Sequence, residues 1–306
     1  MASDVNVDVT KWTGARQTMS SWSRVIESFE SMPEVFKESY QMMLGDTASF
    51  PYTVFAPPIA GLRRKVIEKI LCETEDSICV WEHVGNQVRM TEYPITSISD
   101  IEIGRILLYS WFTIGGVTKA GAATSTTIEF NSASSRHFTR FINRIRPKLL
   151  HAGERELGME MAKFDYLAAE NFKFMNFAIE SLVNGEKVLQ VLWQPKISKP
   201  LISIGRYVLY RAAVSVAHLL VLTDKEIILI QDDQRSDEKR GVKYGGVWRY
   251  VPLKNVHGVS LSDREDGLLG VSLTLSPGQR KLDILFEDSQ KQKLLEFQSK
   301  LKKMIS

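Results

Sequence analysis

The sequence predicts an α+β fold, mostly β, made of two strand-rich units that each close with a helix and are each preceded by helical structure. Three observations carry this. The second half repeats the first in block order. Both halves hold short aliphatic and β-branched runs around tight polar turns, at spacings typical of a sandwich or small barrel of about seven strands. Both halves end in a stretch whose apolar residues recur at three- and four-residue steps.

The repeat is read block by block. Thr74-Glu75-Asp76-Ser77-Ile78-Cys79-Val80 answers to Thr223-Asp224-Lys225-Glu226-Ile227-Ile228-Leu229, 149 residues on. Pro94-Ile95, Ile98 and Ile101 answer to Pro252-Leu253, Val256 and Val259 at 158. Phe112-Thr113-Ile114 answers to Leu273-Thr274-Leu275 at 161, and Ile128-Glu129-Phe130 to Ile284-Leu285-Phe286 at 156. The separation changes only in the gaps between blocks, as it does in a duplicated unit with loop insertions.

The elements follow in order. Residues 1–13 are polar and are expected to be a disordered tail. Residues 14–45 form a helical segment, with Trp22, Val25, Ile26 and Phe29 on one face, an interruption at Pro33, and Val35, Phe36, Tyr40 and Met43 resuming it. The first unit covers 46–150. In it Ser134-Ser135 precede Phe138, Phe141, Ile142 and Ile145, and Pro147 is expected to close the helix. Leu157, Met161, Phe164, Ala168, Met175, Ile179 and Leu182 give a linker helix over 151–183. The second unit covers 184–306 and is long enough to fold alone. Its closing helix follows Asp288-Ser289, an expected N-cap, and buries Leu294, Phe297 and Leu301. Arg136, Arg140, Arg144 and Arg146 on one closing helix, and Lys291, Lys293, Lys300, Lys302 and Lys303 on the other, are read as solvated basic faces.

Composition narrows the function. The chain of 306 residues has 39 Lys+Arg against 36 Asp+Glu, a net charge of +3, so no nucleic-acid partner is expected. Two cysteines make no disulfide framework. Cys72 and Cys79, facing each other across the Glu75-Asp76 turn, are expected to be reduced core thiols. The start, Met1-Ala2-Ser3-Asp4-Val5, has no apolar run of a leader, so the cytoplasm is the expected compartment, with peripheral membrane attachment allowed. Residues 201–222 are apolar enough to test as a span, but they contain Arg206, Arg211 and His218. Each central Arg would cost about 2.5–3.5 kcal/mol in a bilayer, so the stretch is read as buried strands.

The run His218-Leu-Leu-Val-Leu-Thr-Asp-Lys-Glu-Ile-Ile-Leu-Ile230, followed by Tyr250-Val-Pro-Leu-Lys-Asn-Val-His-Gly-Val259, resembles the bacterial pleckstrin-homology-like and GRAM-type domains. Residues 184–304 carry the resemblance well and 50–147 more loosely, through Tyr93-Pro94-Ile95 and Ile98. It implies two tandem barrels and a binding or adaptor role, with ligands that range from lipid head groups to peptides to other subunits. Two readings stand. In one, basic residues on the connection after the first strand hold phosphates at an anionic membrane surface or on a phosphate-bearing ligand. The candidates are Lys196, Lys199, Arg206 and Arg211 in the second unit and Arg63, Arg64 and Lys65 in the first. In the other, the apolar helices carry a protein partner or self-association as a scaffold.

Catalytic chemistry finds no constellation. His83, His137, His151, His218 and His257 do not pair at metal-ligand spacing. Gly115-Gly116-Val117-Thr118-Lys119-Ala120-Gly121 lacks the phosphate-loop order, and Gly258-Val-Ser-Leu-Ser fails the nucleophile elbow at its last residue. No catalytic residue, metal or cofactor is assigned, and the protein is expected not to be an enzyme.

Overall fold

The computed structural model describes residues 22–45, 49–60, 65–106, 109–151, 153, 157–204, 207–233, 245–264, 267–276 and 280–305. The first copy begins with β1 (Arg24–Ile26) and α1 (Glu34–Leu44). Next come β2 (Tyr52–Ala56), the short pair β3 (Ile59–Ala60) and β4 (Lys65–Val66), then β5 (Lys69–Glu73), β6 (Ser77–Val84) and β7 (Gln87–Pro94). It continues with β8 (Ile98–Ile106), β9 (Tyr109–Val117), β10 (Ala123–Asn131) and α2 (Ser135–Leu150). After a linker holding α3 (Leu167–Ser181), the second copy repeats the series. It has β11 (Val188–Gln194), the hairpin β12 (Ile197–Ile204) and β13 (Tyr207–Ser215), then β14 (His218–Thr223), β15 (Glu226–Gln231) and β16 (Gly246–Pro252). It closes with β17 (Val256–Asp263), β18 (Leu268–Leu275), β19 (Arg280–Glu287) and α4 (Lys291–Ile305).

Matched sequence blocks make matched local structure. At both hairpin tips a threonine hydroxyl ties the turn: Thr74 Oγ1 accepts from Ser77 N at 3.0 Å, and Thr223 Oγ1 accepts from Glu226 N at 2.9 Å. Pro94 and Pro252 each end a strand and lead into one 3-10 turn, Ile95–Ser97 or Leu253–Asn255, before the chain turns the corner into β8 or β17. The fixed φ of proline suits that corner, and its missing N–H costs nothing at a strand end.

Four expectations are corrected in detail. Arg24–Ile26 is a strand, not helix: it pairs with the otherwise open edge of β2, which two β-branched residues favour. Pro147 does not close α2, which continues to Leu150 and ends at His151 in the left-handed region (φ 45). The lost amide hydrogen bond is offset by burying Leu149 and Leu150 in that last turn. The linker is not one helix: a turn at Gly158–Met161 and a 3-10 turn at Ala162–Phe164 precede α3, which breaks at Asn171 (φ −160, ψ 93). There the Asn171 Oδ1 accepts from Phe174 N at 3.3 Å and restarts the helix as a cap. Asp288 and Ser289 lie in a 3-10 turn ahead of α4.

Within each copy the strands divide into a first sheet and a second sheet, and the described sheets are open and antiparallel. None closes on itself into a barrel among the described residues. The first copy's first sheet runs β1-β2-β5-β6-β7, and the second copy's second sheet runs β17-β18-β19. The other two merge. The order β10-β9-β8-β16-β15-β14-β11 is one seven-stranded sheet, joined where β8 of the first copy pairs with β16 of the second. Ile101 lies opposite Tyr250, Ile103 opposite Trp248 and Arg105 opposite Gly246. The chain enters that ladder through Gly245 at φ 99, where any Cβ would lie 1.8 Å from the Arg105 carbonyl oxygen, so only glycine fits.

The alternation of each first sheet gives it two apolar faces. In the first copy Val54, Leu71, Ile78 and Val80 face inward to α2 and the second sheet, while Phe55, Ile70, Cys72 and Trp81 face outward and are covered by Phe36 and Tyr40 of α1. In the second copy Leu220, Leu222, Ile227 and Leu229 face Leu294, Phe297 and Leu301 of α4. The outward set, Trp193, Leu219, Val221, Ile228, Ile230, Trp248 and Tyr250, belongs to the same core as the first copy's second sheet and α2. Phe174 and Phe177 of α3 pack on it, each 4.6 Å between ring centroids from Trp193 and Trp248 respectively. Phe36 and Tyr40 of α1 and Phe174 and Phe177 of α3 thus lie against the chain's own sheets, while Met42 and Phe172 stay exposed. Within 201–222, residues 201–204, 207–215 and 218–222 lie in strands, and no helix among the described residues is long and apolar enough to cross a membrane.

Candidate functional site

Both connections expected to hold phosphate are β-hairpins, inserted at the same place in their copies. Lys196 is half-buried just before β12, and Lys199 is half-buried within it, opposite Ala212. Arg211 lies opposite Pro200 and Lys65 opposite Ala60, with both side chains outside the described residues. Arg63, Arg64 and Arg206 lie wholly outside them.

Two helices carry rows of exposed cations: α4 has Lys291, Lys293, Lys300, Lys302 and Lys303, and α2 has a regularly spaced set. The apolar positions of α2, Phe138, Phe141, Ile142, Ile145 and Leu149, turn one side of the helix into the core. The opposite side carries Arg136, Arg140, Arg144 and Lys148, one every four residues and all exposed. A four-residue step aligns side chains along one helix face, so these cations form a stripe over three turns. Arg146 does not belong to the solvated face expected for it. It is 1% exposed, and its spacing from Ile142 and Leu149 places it on the buried side. Lys148 completes the stripe in its place.

The stripe borders a cleft of about 430 Å³ lined by Phe50, Tyr52, Glu73, Thr74, Arg144 and Lys148, among others. Tyr52 holds the cations in place. Its ring lies 5.0 Å from the Arg140 guanidinium and 5.5 Å from that of Arg144, and its hydroxyl donates to the His137 carbonyl at 3.2 Å. The Glu73 carboxylate is buried at the cleft floor. It accepts from Lys148 Nζ at 2.7 Å and from Arg144 Nε. Two cations thus share one carboxylate, while Arg136 and Arg140 extend the positive surface beyond it. His137 registers that field: burial, and then Arg136 and Arg140 beside it, lower its basicity below the ordinary imidazole value.

A second charged group is sealed between the copies. Arg146 Nη2 donates to the Ser181 carbonyl at 2.7 Å and pairs with Glu226, and its guanidinium lies 3.8 Å from the Tyr250 ring centroid. Glu186, 3.9 Å from Arg146, accepts from Thr223 Oγ1 at 2.9 Å and from Val183 N at 2.7 Å. Burial raises the Glu226 carboxyl above the usual carboxylate range, with Glu186 adding to the rise and Arg146 opposing it. One helix of the first copy, the linker and one hairpin of the second meet at this point. Its hydrogen bonds tie these three elements together.

Cys72 and Cys79 stand directly opposite on β5 and β6, both free and buried. Burial pushes the Cys72 thiol up to about 11 and Cys79 higher, which leaves both inert. Among the described residues no three His, Cys, Asp or Glu side chains gather as a metal site. No protein-family model matches the chain, and no curated protein matches it.

Proposed function

We propose that this chain is a non-catalytic adaptor of two tandem pleckstrin-homology-like units that attaches to an anionic surface, a membrane lipid or another phosphate-bearing ligand, through the exposed face of α2. The single observation that carries the reading is the row Arg136, Arg140, Arg144 and Lys148 beside the Tyr52 cleft. Four cations at one-turn intervals on a rigid helix match a surface of many negative charges better than one small anion. The unit plan supports the family part of the proposal: four main strands, a proline corner, three strands and a closing helix occur twice in the same order. Lys196 and Lys199 remain a second candidate contact on the β12–β13 hairpin.

Sedimentation with vesicles tests this. The protein should bind phosphatidylserine-containing vesicles at low salt, ignore neutral ones, and release as salt screens exposed charge over about 8–10 Å. Arg136→Gln, Arg140→Gln and Lys148→Gln should each cost about 1 kcal/mol of binding, leaving the fold intact. Lys196→Gln and Lys199→Gln form the comparison arm. A wild-type protein that ignores anionic vesicles at low salt sinks the lipid reading.

The scaffold alternative is favoured by a different observation than the one expected. The apolar helices bury part of their surface within the chain and keep Met42 and Phe172 exposed, while strand pairing joins two units and, among the described residues, leaves β7 and β17 at sheet edges.

A further inference from the structure

The junction between the copies is a strand-to-strand socket. β8 is the first strand of the first copy's second sheet, and β16 is the last strand of the second copy's first sheet; β16 adds to the edge of β8. The duplication supplies the same two parts once more. At 158 residues' separation, β17 corresponds to β8 and β7 corresponds to β16. Both are edge strands among the described residues: β7 ends the five-stranded sheet and β17 ends the three-stranded one. Among the described residues each chain therefore carries one filled junction, one β17 edge that no strand pairs but that α4 flanks through Gln298 and Lys291, and one β7 edge that no strand pairs.

We propose that β7 of one chain adds to β17 of a second copy, head to tail, in the register that already joins β16 to β8. The 158-residue offset fixes that register. The pair Ile101–Tyr250 becomes Val259–Glu92, Ile103–Trp248 becomes Leu261–Met90, and Arg105–Gly246 becomes Asp263–Val88.

Both edges are engaged at one end. The Glu92 carbonyl is already capped by Lys119 N at 2.9 Å, and the Val259 carbonyl by Gln298 Nε2 at 3.3 Å. These two capped residues fall opposite each other. Backbone groups alternate in direction along a strand, so Met90 and Val88, and Leu261 and Asp263, present their N–H and C=O groups on the same outer edges. That leaves the pairs Leu261–Met90 and Asp263–Val88, a shorter ladder than the five-residue one of β8 with β16. A groove of about 250 Å³ lies at this part of β17, between Leu261, Leu269, Leu294 and Leu295, with Lys291 and Asp263 at its end. Met90, 39% exposed, is the side chain that the register brings beside it, and Leu295, 46% exposed, is the groove's open wall. An exposed apolar side chain on an open strand edge is what a protein normally avoids, unless something covers it. The contact joins two different surfaces, so it extends into a ring or filament rather than stopping at a twofold dimer.

The test is mass measurement by sedimentation over a concentration series, with Met90→Lys and Leu295→Lys. Both positions are exposed, and unchanged melting temperatures show that the variants stay folded. The wild type should form species beyond the dimer as concentration rises. Each variant alone should associate at least about tenfold more weakly, as the loss of a central apolar contact does. An equimolar mixture should restore a dimer and nothing larger, because one intact edge and one intact socket remain between the two chains. A wild type that stays monomeric throughout overturns the proposal. So does a variant that associates like the wild type, or a mixture that forms no dimer.

Discussion

The two copies follow one plan and differ in what covers them. The first copy's first sheet has a cover of its own: β1 extends its edge, and Phe36 and Tyr40 of α1 seal its outer face. The second copy's first sheet is covered by α3 and shares a continuous core with the first copy's second sheet and α2. Its edge strand β16 is also paired to β8. Duplication therefore does not by itself make two independent domains. The apolar outer face of a sheet must be buried somewhere, and here the second copy buries part of its own against the first.

The comparison breaks most directly at Arg146. It has no counterpart role in the second copy, where α4 carries only exposed lysines at its end. Arg146→Met leaves Glu226 and Glu186 buried without their cation. It should cost about 3–5 kcal/mol in denaturant unfolding. Adding Glu226→Gln should recover part of this. A cost near zero would mean that the buried group does not hold the copies together.

Phe141 and Phe297 sharpen the same comparison. They are equivalent, 156 residues apart, and both are fully buried. Each change to alanine should cost about 3–5 kcal/mol, with similar values if the closing helices do the same work. A loss at Phe297 below about 1 kcal/mol would make α4 a surface element and free its face for a partner.

His218 gives the second copy an acid sensitivity at a position where the first copy has Lys69. Burial lowers His218 from 6.5 to about 4. Between those values the unfolded chain binds the proton and the folded chain does not, so stability falls as pH drops from about 6.5 to about 4. The loss should be on the order of 3 kcal/mol. His218→Leu should flatten this limb of the stability–pH curve; an unchanged curve would assign the acid loss to other groups.

The smallest effect belongs to the exposed end of the junction. Arg249 Nε donates to Glu102 Oε2 at 3.0 Å across the β8–β16 ladder, with both side chains partly open to water. Glu102→Gln should cost under about 1 kcal/mol. A larger loss would shift weight from the apolar core to this ion pair.

Much of this was legible in the sequence because short-range chemistry decided it. The Thr74 and Thr223 turns, the Pro94 and Pro252 corners, the facing cysteines and the buried side of α4 follow from local pattern. The merger of two sheets was not legible. Residues 101–105 and 246–250 are far apart in sequence, and the alternation of a strand looks the same whether its edge is open or paired. The candidate site was half legible. The four-residue step of Arg136, Arg140, Arg144 and Lys148 was present in the sequence, and so was the register that puts Arg146 with Ile142 and Leu149. Counting the arginines together as one solvated face hid both. The hairpins at Lys65 and Lys199 were marked by charge alone, and charge does not distinguish a loop from a paired strand.

Calorimetry of the whole chain beside the 184–306 fragment tests the shared core most directly. The sequence alone suggests that this fragment folds by itself. The structure predicts that the whole chain melts in one transition, with equal calorimetric and van't Hoff enthalpies. The fragment, with Trp193, Ile228, Trp248 and Tyr250 stripped of their cover, should show no cooperative transition, or one far below that of the whole chain. A fragment that melts cooperatively at the whole chain's temperature would contradict the account and make the two copies separate domains.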